Sequence, residues 1–155
     1  MKEQTVTHEQ RQDGWLISDD LARFDVLKAH GWISRESYWG EGIPLHTFQR
    51  SLANSLVAGL YAPDGDLAAM GRVVTDRATF GWICDVFVDQ ARRGVGLSKR
   101  LMTYLQAHPE LQGFRRLHLA TQDAHGLYEQ FGFGPLTGVD RWMEIRGPRD
   151  LYRRD

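Results

Sequence analysis

Arg93-Gly94-Val95-Gly96-Leu97-Ser98 is the stretch of this 155-residue chain whose residue types most clearly suggest chemistry. A glycine turn that opens a helix aims several backbone N–H groups and the positive end of the helix dipole at one point, which is where a phosphate is best held. Arg92, Arg93 and Lys99 add full charges beside it. A second candidate is Asp85, which lies inside the apolar run of residues 82–88. A carboxylate there is costly unless paired or functional, so Asp85 is either a proton acceptor or a structural partner of an arginine or a backbone N–H. Strict strand alternation puts Ile83, Asp85 and Phe87 on one face. Glu41 is another candidate base, set in the glycine- and aromatic-rich residues 37–43. Tyr38 and Trp39 belong to that stretch, and irregular loops of this kind often line sites.

These groups need elements to position them. The run before the glycine turn is β-branched and aromatic and has the length of a buried strand. After the turn, Leu97, Leu101, Tyr104 and Leu105 follow the spacing of one helix face until Pro109 ends it. Upstream, Trp15-Leu16-Ile17-Ser18 reads as a first strand. Asp25 reads as the cap of a helix carrying Val26, Ala29 and Ile33, and Pro44 as the start of a helix carrying Leu45, Phe48 and Leu52. Residues 56–61, 67–75 and 80–88 form a meander, with Pro63-Asp64-Gly65 as a tight turn. Residues 115–121 read as a strand parallel to 82–88, residues 124–131 as a short helix, and Phe133 with residues 141–145 as a final strand pair. The expected fold class is α+β, an α/β sandwich whose mixed sheet has about seven strands with about four helices.

Lys plus Arg number 19 and Asp plus Glu number 20, a net charge of −1, which argues against a general nucleic-acid or membrane partner. The lone cysteine, Cys84, has no internal disulfide partner and suits a reducing compartment. No run approaches the roughly 18 apolar residues of a membrane span and the start lacks a signal-peptide core, so the expectation is a cytoplasmic protein. One domain over residues 1–155 is expected, with residues 1–12 and 147–155 as loose tails. The histidines show no ligand spacing, so no metal is expected.

Competing phosphate motifs are separated by spacing. A dinucleotide G-x-G-x-x-G would need a glycine where Lys99 stands, and the G-x-x-x-x-G-K-S/T loop fits no register of this turn. Arg93, Gly96 and, with one departure, Ser98 match Q/R-x-x-G-x-G/A. Downstream, Leu127-Tyr128 followed by Gly132-Phe133 matches L-Y-x-x-x-G-F. With both motifs the region over residues 56–145 resembles the GNAT superfamily of N-acyltransferases. Asp85-Val86-Phe87-Val88, Leu111-Gln112-Gly113 and residues 120–128 resemble a bacterial subgroup of that superfamily whose substrates are mostly unassigned.

That resemblance implies a splayed pair of parallel strands that holds acetyl-CoA. Main-chain groups of Val86, Phe87 and Val88 would meet the pantetheine arm, and Arg93, Gly94, Val95, Gly96, Leu97, Ser98 and Lys99 the pyrophosphate. Tyr128 would be the acid that protonates the departing thiolate, and Asp85 the leading base. Tyr38, Trp39 and Glu41 are the acceptor-site candidates. The implied activity is acetyl transfer to a primary amine of a small molecule by direct transfer in a ternary complex. A non-catalytic acyl-CoA-binding module and a protein or peptide N-acetyltransferase stand as alternatives. Relatives of this kind commonly form homodimers.

Overall fold

The structure is a computed structural model that describes residues 6–153. Its strands are β1 (Glu9–Gln12), β2 (Trp15–Ser18), β3 (Leu56–Tyr61), β4 (Leu67–Thr75), β5 (Phe80–Val88) and β6 (Arg116–Leu119). Its α-helices are α1 (Val26–Gly31), α2 (Leu45–Ala53), α3 (Leu97–Ala107) and α4 (His125–Glu129). The strands lie in sequence order in one sheet, antiparallel except for the parallel pair β5–β6. The mixed sheet and four helices match the expected class with six strands rather than seven.

Alternation along β3 shows how the sheet divides its side chains. Leu56, Ala58 and Leu60 meet Leu101, Met102 and Leu105 of α3 on one face, whereas Val57 and Tyr61 meet Phe48, Leu52 and Trp32 on the other. At Gly71 an added Cβ would stand 3.0 Å from Leu101 Cδ2, so this glycine lets α3 press closely onto the sheet. Asp25 caps α1 by accepting from the Lys28 amide at 3.0 Å, and a π-helical turn, Trp32–Glu36, continues the chain toward the aromatic loop.

Two expectations change at the sheet's ends. The final strand pair does not form: residues 133–147 are irregular apart from a 3₁₀ turn at Val139–Arg141, and Met143 and Ile145 lie in solvent. Gly134, Pro135 and Gly138 interrupt the stretch before a strand can pair. Conversely, β1 occupies part of the expected N-terminal tail. All four of its residues are exposed, so it carries no apolar alternation, and main-chain pairing with β2 holds it. Residues 1–5 and 154–155 of the expected tails lie outside the described residues. Residues 150 and 153 are not a free tail, since Arg153 pairs with Glu41 and donates its amide to the Asp150 carbonyl.

A third change falls inside β5. Met70 pairs with Phe87 but Arg72 with Cys84, so Asp85 and Val86 together oppose Gly71 in a β-bulge, and Asp85 takes a left-handed φ of 52°. The extra residue flips the alternation. Ile83 packs with the α3 core and Phe87 with the opposite core, correcting the expectation that they share a face.

Candidate active site

β5 and β6 pair from Phe80↔Arg116 to Ile83↔Leu119, where β6 ends while β5 runs on to Val88. The strands therefore part, leaving the β6-facing edge of β5 open from Cys84 onward. Below the parting lies a cavity of about 330 Å³ lined by Val86, Val88, Arg93, Gly94, Gly96, Leu97, Ser98, Ala124, Leu127 and Tyr128. Gly94 and Gly96 have φ of 86° and 81°, and nothing lies within 4 Å of where their Cβ atoms would stand. A side chain at either would strain the turn and fill the cradle. The helix's first bond is Arg100 N to Gly96 O, so the amides of Leu97, Ser98 and Lys99 have no helical acceptor. An open cradle, free amides and Arg93 together fit a phosphate-bearing cofactor such as acetyl-CoA.

The surrounding charges are not equivalent. The Arg93 Nε donates to the Val88 carbonyl at 3.0 Å and its guanidinium lies 5.1 Å from the Phe87 ring centre, which ties the turn to the end of β5. Arg92 instead pairs with Asp66 at 3.1 Å and Asp64 at 3.6 Å. Phe87 stacks its ring on Trp32, 5.4 Å between centres, and does not line this cavity. Val95 and Lys99 are exposed and outside the cavity wall.

Across the parting lies a second cavity, of about 540 Å³, lined by Tyr38, Trp39, Trp82, Asp85 and Tyr128 among others. Tyr38 accepts from the Gln122 amide at 3.0 Å and stands edge-on to Trp39, 4.9 Å between centres. Asp85 is 8% exposed, and both its oxygens are engaged. Oδ1 accepts from Trp39 Nε1 at 2.9 Å and Oδ2 from Arg72 Nε at 2.8 Å. Arg72 also donates to the Ser55 hydroxyl at 2.9 Å. Glu41 is not in this group: it is exposed, pairs with Arg153 and lines none of these cavities.

A third cavity, of about 810 Å³, runs from Tyr128 along β6 to Trp142 and Met143. The structure brings Tyr38, Trp39 and Asp85 into one cavity lining with Tyr128; sequence reasoning missed Arg72, Asp123 and Trp142. An arginine in an apolar strand one hairpin from Asp85 was the available signal for the first.

Tyr128 lines all three cavities. Gly132, at φ 88°, reverses the chain after α4 so that Phe133 returns to the Tyr128 ring, 6.1 Å between centres. The Tyr128 hydroxyl has no hydrogen-bond partner among the described residues. Burial above all, then Tyr38 and Asp123, pushes it above the usual 10.0, so it carries its proton at neutral pH. Burial also pushes the Cys84 thiol up to about 12, which leaves almost no thiolate to act as a nucleophile.

The sequence profile of the acetyltransferase (GNAT) family matches residues 31–133. A solved candidate acetyltransferase of the GNAT family from Xanthomonas campestris is 40% identical with a TM-score of 0.85, over 96% of this chain and 98% of that one. A Clostridium acetobutylicum structure solved with acetyl-CoA shares the fold at a TM-score of 0.59 and 15% identity, over 91% of this chain and 96% of that one. A Gibberella zeae protein assigned by inference as an acetyltransferase is 25% identical over 158 residues, 88% of this chain and 85% of its own length. No described helix is long and apolar enough to cross a membrane.

Proposed function

The chain belongs to the GNAT acetyltransferase family, enzymes that move an acyl group from acetyl-CoA, and on that premise we propose that it acetylates a primary amine by direct transfer in a ternary complex. The observation that carries the reading is the position of Tyr128, which lines the phosphate-end cavity and both cavities on the other side of the parting and whose hydroxyl has no hydrogen-bond partner among the described residues. Bound there, acetyl-CoA supplies an activated acetyl thioester. The main chain of Val86, Phe87 and Val88 takes the pantetheine arm by strand addition at the open edge of β5. The turn from Arg93 to Ser98 takes the pyrophosphate through its amides, with Arg93 and Lys99 adding charge.

Transfer forms a C–N bond to the amine and breaks the C–S bond. The amine loses a proton and the sulfur gains one. Tyr128 Oη holds the proton that the sulfur needs. Cys84, kept as a thiol, offers no acyl-enzyme route, which is why direct transfer is preferred. Asp85 is held by Arg72 and in turn holds the Trp39 indole. We therefore assign it first to positioning Trp39 against the amine and second to proton transfer. Residues 1–155 act as one domain in the cytoplasm in this reading.

The test pairs calorimetric binding of acetyl-CoA with thiol release in the presence of amines. Micromolar binding together with amine-dependent thiol release supports the proposal. Thiol release that no amine accelerates would sink it.

A further inference from the structure

On the acetyltransferase reading the amine must enter from the side of Tyr128 away from Arg93, and the walls it meets there have a chemistry of their own. The two cavities on that side share Trp82, Leu119, Ala120 and Thr121 as well as Tyr128, so they adjoin along the end of β6. Among the described residues no Lys or Arg lines either cavity, whereas Asp85, Asp123, Glu129 and Glu144 do. Asp85 is paired with Arg72, and Glu144 with Arg146 at 3.5 Å, so Asp123 and Glu129 are the carboxylates left facing the space. Burial chiefly, and then Arg116, hold His118 below its usual 6.5, so it adds no positive charge at neutral pH.

The larger cavity is walled by aromatic and aliphatic surface that the fold leaves uncovered. Trp82 is 38% exposed, Trp142 40% and Met143 96%. The Trp142 ring centre lies 4.6 Å from His118 and that of Trp82 6.4 Å from it, so the two indoles flank one imidazole. Contiguous apolar surface of this kind marks a binding site. A second feature points to a ligand independently of these walls: Tyr128, only 9% exposed and with no hydrogen-bond partner for its hydroxyl among the described residues, lines both cavities.

We propose that the acceptor is a primary amine carried on an apolar, ring-bearing body with no anionic group, its ammonium drawn by Asp123 and Glu129 and its body seated against Trp82 and Trp142. Aromatic faces favour both a flat apolar ring and a cation. A carboxylate or phosphate on the acceptor would meet two unpaired carboxylates in the cavity lining, while the Arg116 guanidinium, 5.1 Å from the Trp142 ring centre, is not part of that lining, which is selection by repulsion.

Three amines at one acetyl-CoA concentration test this by thiol release: 2-phenylethylamine, its carboxylated counterpart phenylalanine, and ethylamine. The expected kcat/KM for 2-phenylethylamine is at least about tenfold above either of the others, a difference of 1.4 kcal/mol. Trp142→Ala should raise the KM for 2-phenylethylamine about tenfold without moving the KM for acetyl-CoA, and Glu129→Gln should raise it about threefold. Equal turnover of the three amines, a preference for phenylalanine, or an unmoved KM in Trp142→Ala would overturn the acceptor class while leaving amine acetylation standing. Acetyl-CoA binding without thiol release from any amine would bring down the acceptor class and the acetyltransferase reading together.

Discussion

At the phosphate end of the cleft the groups on offer are main chain: the open edge of β5, the amides that begin α3, and two glycines held left-handed. At the acceptor end they are side chains, gathered from the loop at Tyr38 and Trp39, the bulge at Asp85, the turn at Asp123 and the irregular segment at Trp142. The first end depends on backbone geometry. The second depends on which side chains stand where, and its key contacts span wide sequence separations, as with Trp39 and Asp85. In the proposed reading the first end takes the cofactor and the second the acceptor. Tyr128 belongs to both.

The largest effect should come from the residue they share. Tyr128→Phe keeps the ring against Phe133 and removes the proton, so kcat should fall about a hundredfold or more with little change in acetyl-CoA affinity. Parallel kinetics and calorimetry check the split. Unchanged kcat with the best acceptor would remove Tyr128 from the chemistry and leave the two ends without a common group.

Next comes a backbone change that should damage one end alone. Gly96→Val places a β-branched residue at φ 81°, costing on the order of 1–2 kcal/mol of strain, and fills open space beside the free amides. Acetyl-CoA binding should weaken by at least about tenfold in calorimetry, while the KM for the amine stays within about twofold. Equal damage to both constants would mean that the ends are not separable.

Asp85→Asn addresses the other end. It leaves the Arg72 guanidinium, 15% exposed at its side chain, without its charge partner and loosens the hold on Trp39. The amine KM should rise about three- to tenfold, more than kcat falls. A pH–rate profile separates the two roles of Asp85. If the acidic limb of kcat/KM disappears in the variant, Asp85 takes the proton; if the limb is retained, Asp85 positions Trp39.

The same contrast explains what could be read without coordinates. Strand β5, the glycine turn and α3 follow from local signals: an apolar run, glycines where φ must be positive, and a helical stripe at Leu97, Leu101 and Leu105. The parting of β5 and β6 came from the family resemblance, because nothing local reports that β6 stops at Leu119. The bulge was hidden because an alternating pattern looks the same with or without one extra residue, and only the register Met70↔Phe87 against Arg72↔Cys84 reveals it. Residues 141–145 have strand-like composition but no partner strand, and composition alone cannot supply one. β1 has the converse problem, with a partner but no pattern. The seat of Glu41 on Arg153 was equally out of reach, since it joins residues 112 positions apart.

The smallest effect lies far from both ends and tests whether α3 transmits rigidity to its phosphate-facing start. Past the C-terminal end of α3, His108 is buried and its Nε2 stands 2.8 Å from Asp19 Oδ2, while the His8 amide donates to Oδ1 at 2.7 Å. The Tyr104 hydroxyl adds a bond of 2.7 Å to the His8 carbonyl, so this cluster fastens the start of β1 to the helix. Burial would raise the Asp19 carboxyl, but the hydrogen bonds from His8 and His108 outweigh it and hold the group below 3.8. A carboxyl depressed in the folded state stabilises the fold above its unfolded value, and that stability is lost as the pH falls through the folded one. Asp19→Asn should therefore lower the Tm by a few degrees at pH 7, for a loss of about 1–2 kcal/mol, with the gap to the unaltered chain closing as the pH falls below about 3.8. Thermal melts at pH 7 and pH 3 measure that gap. Because the cluster is a whole helix away from Gly96, acetyl-CoA affinity should not change. A matching loss of affinity would show that the phosphate end depends on the length of α3 as well as on the turn that begins it.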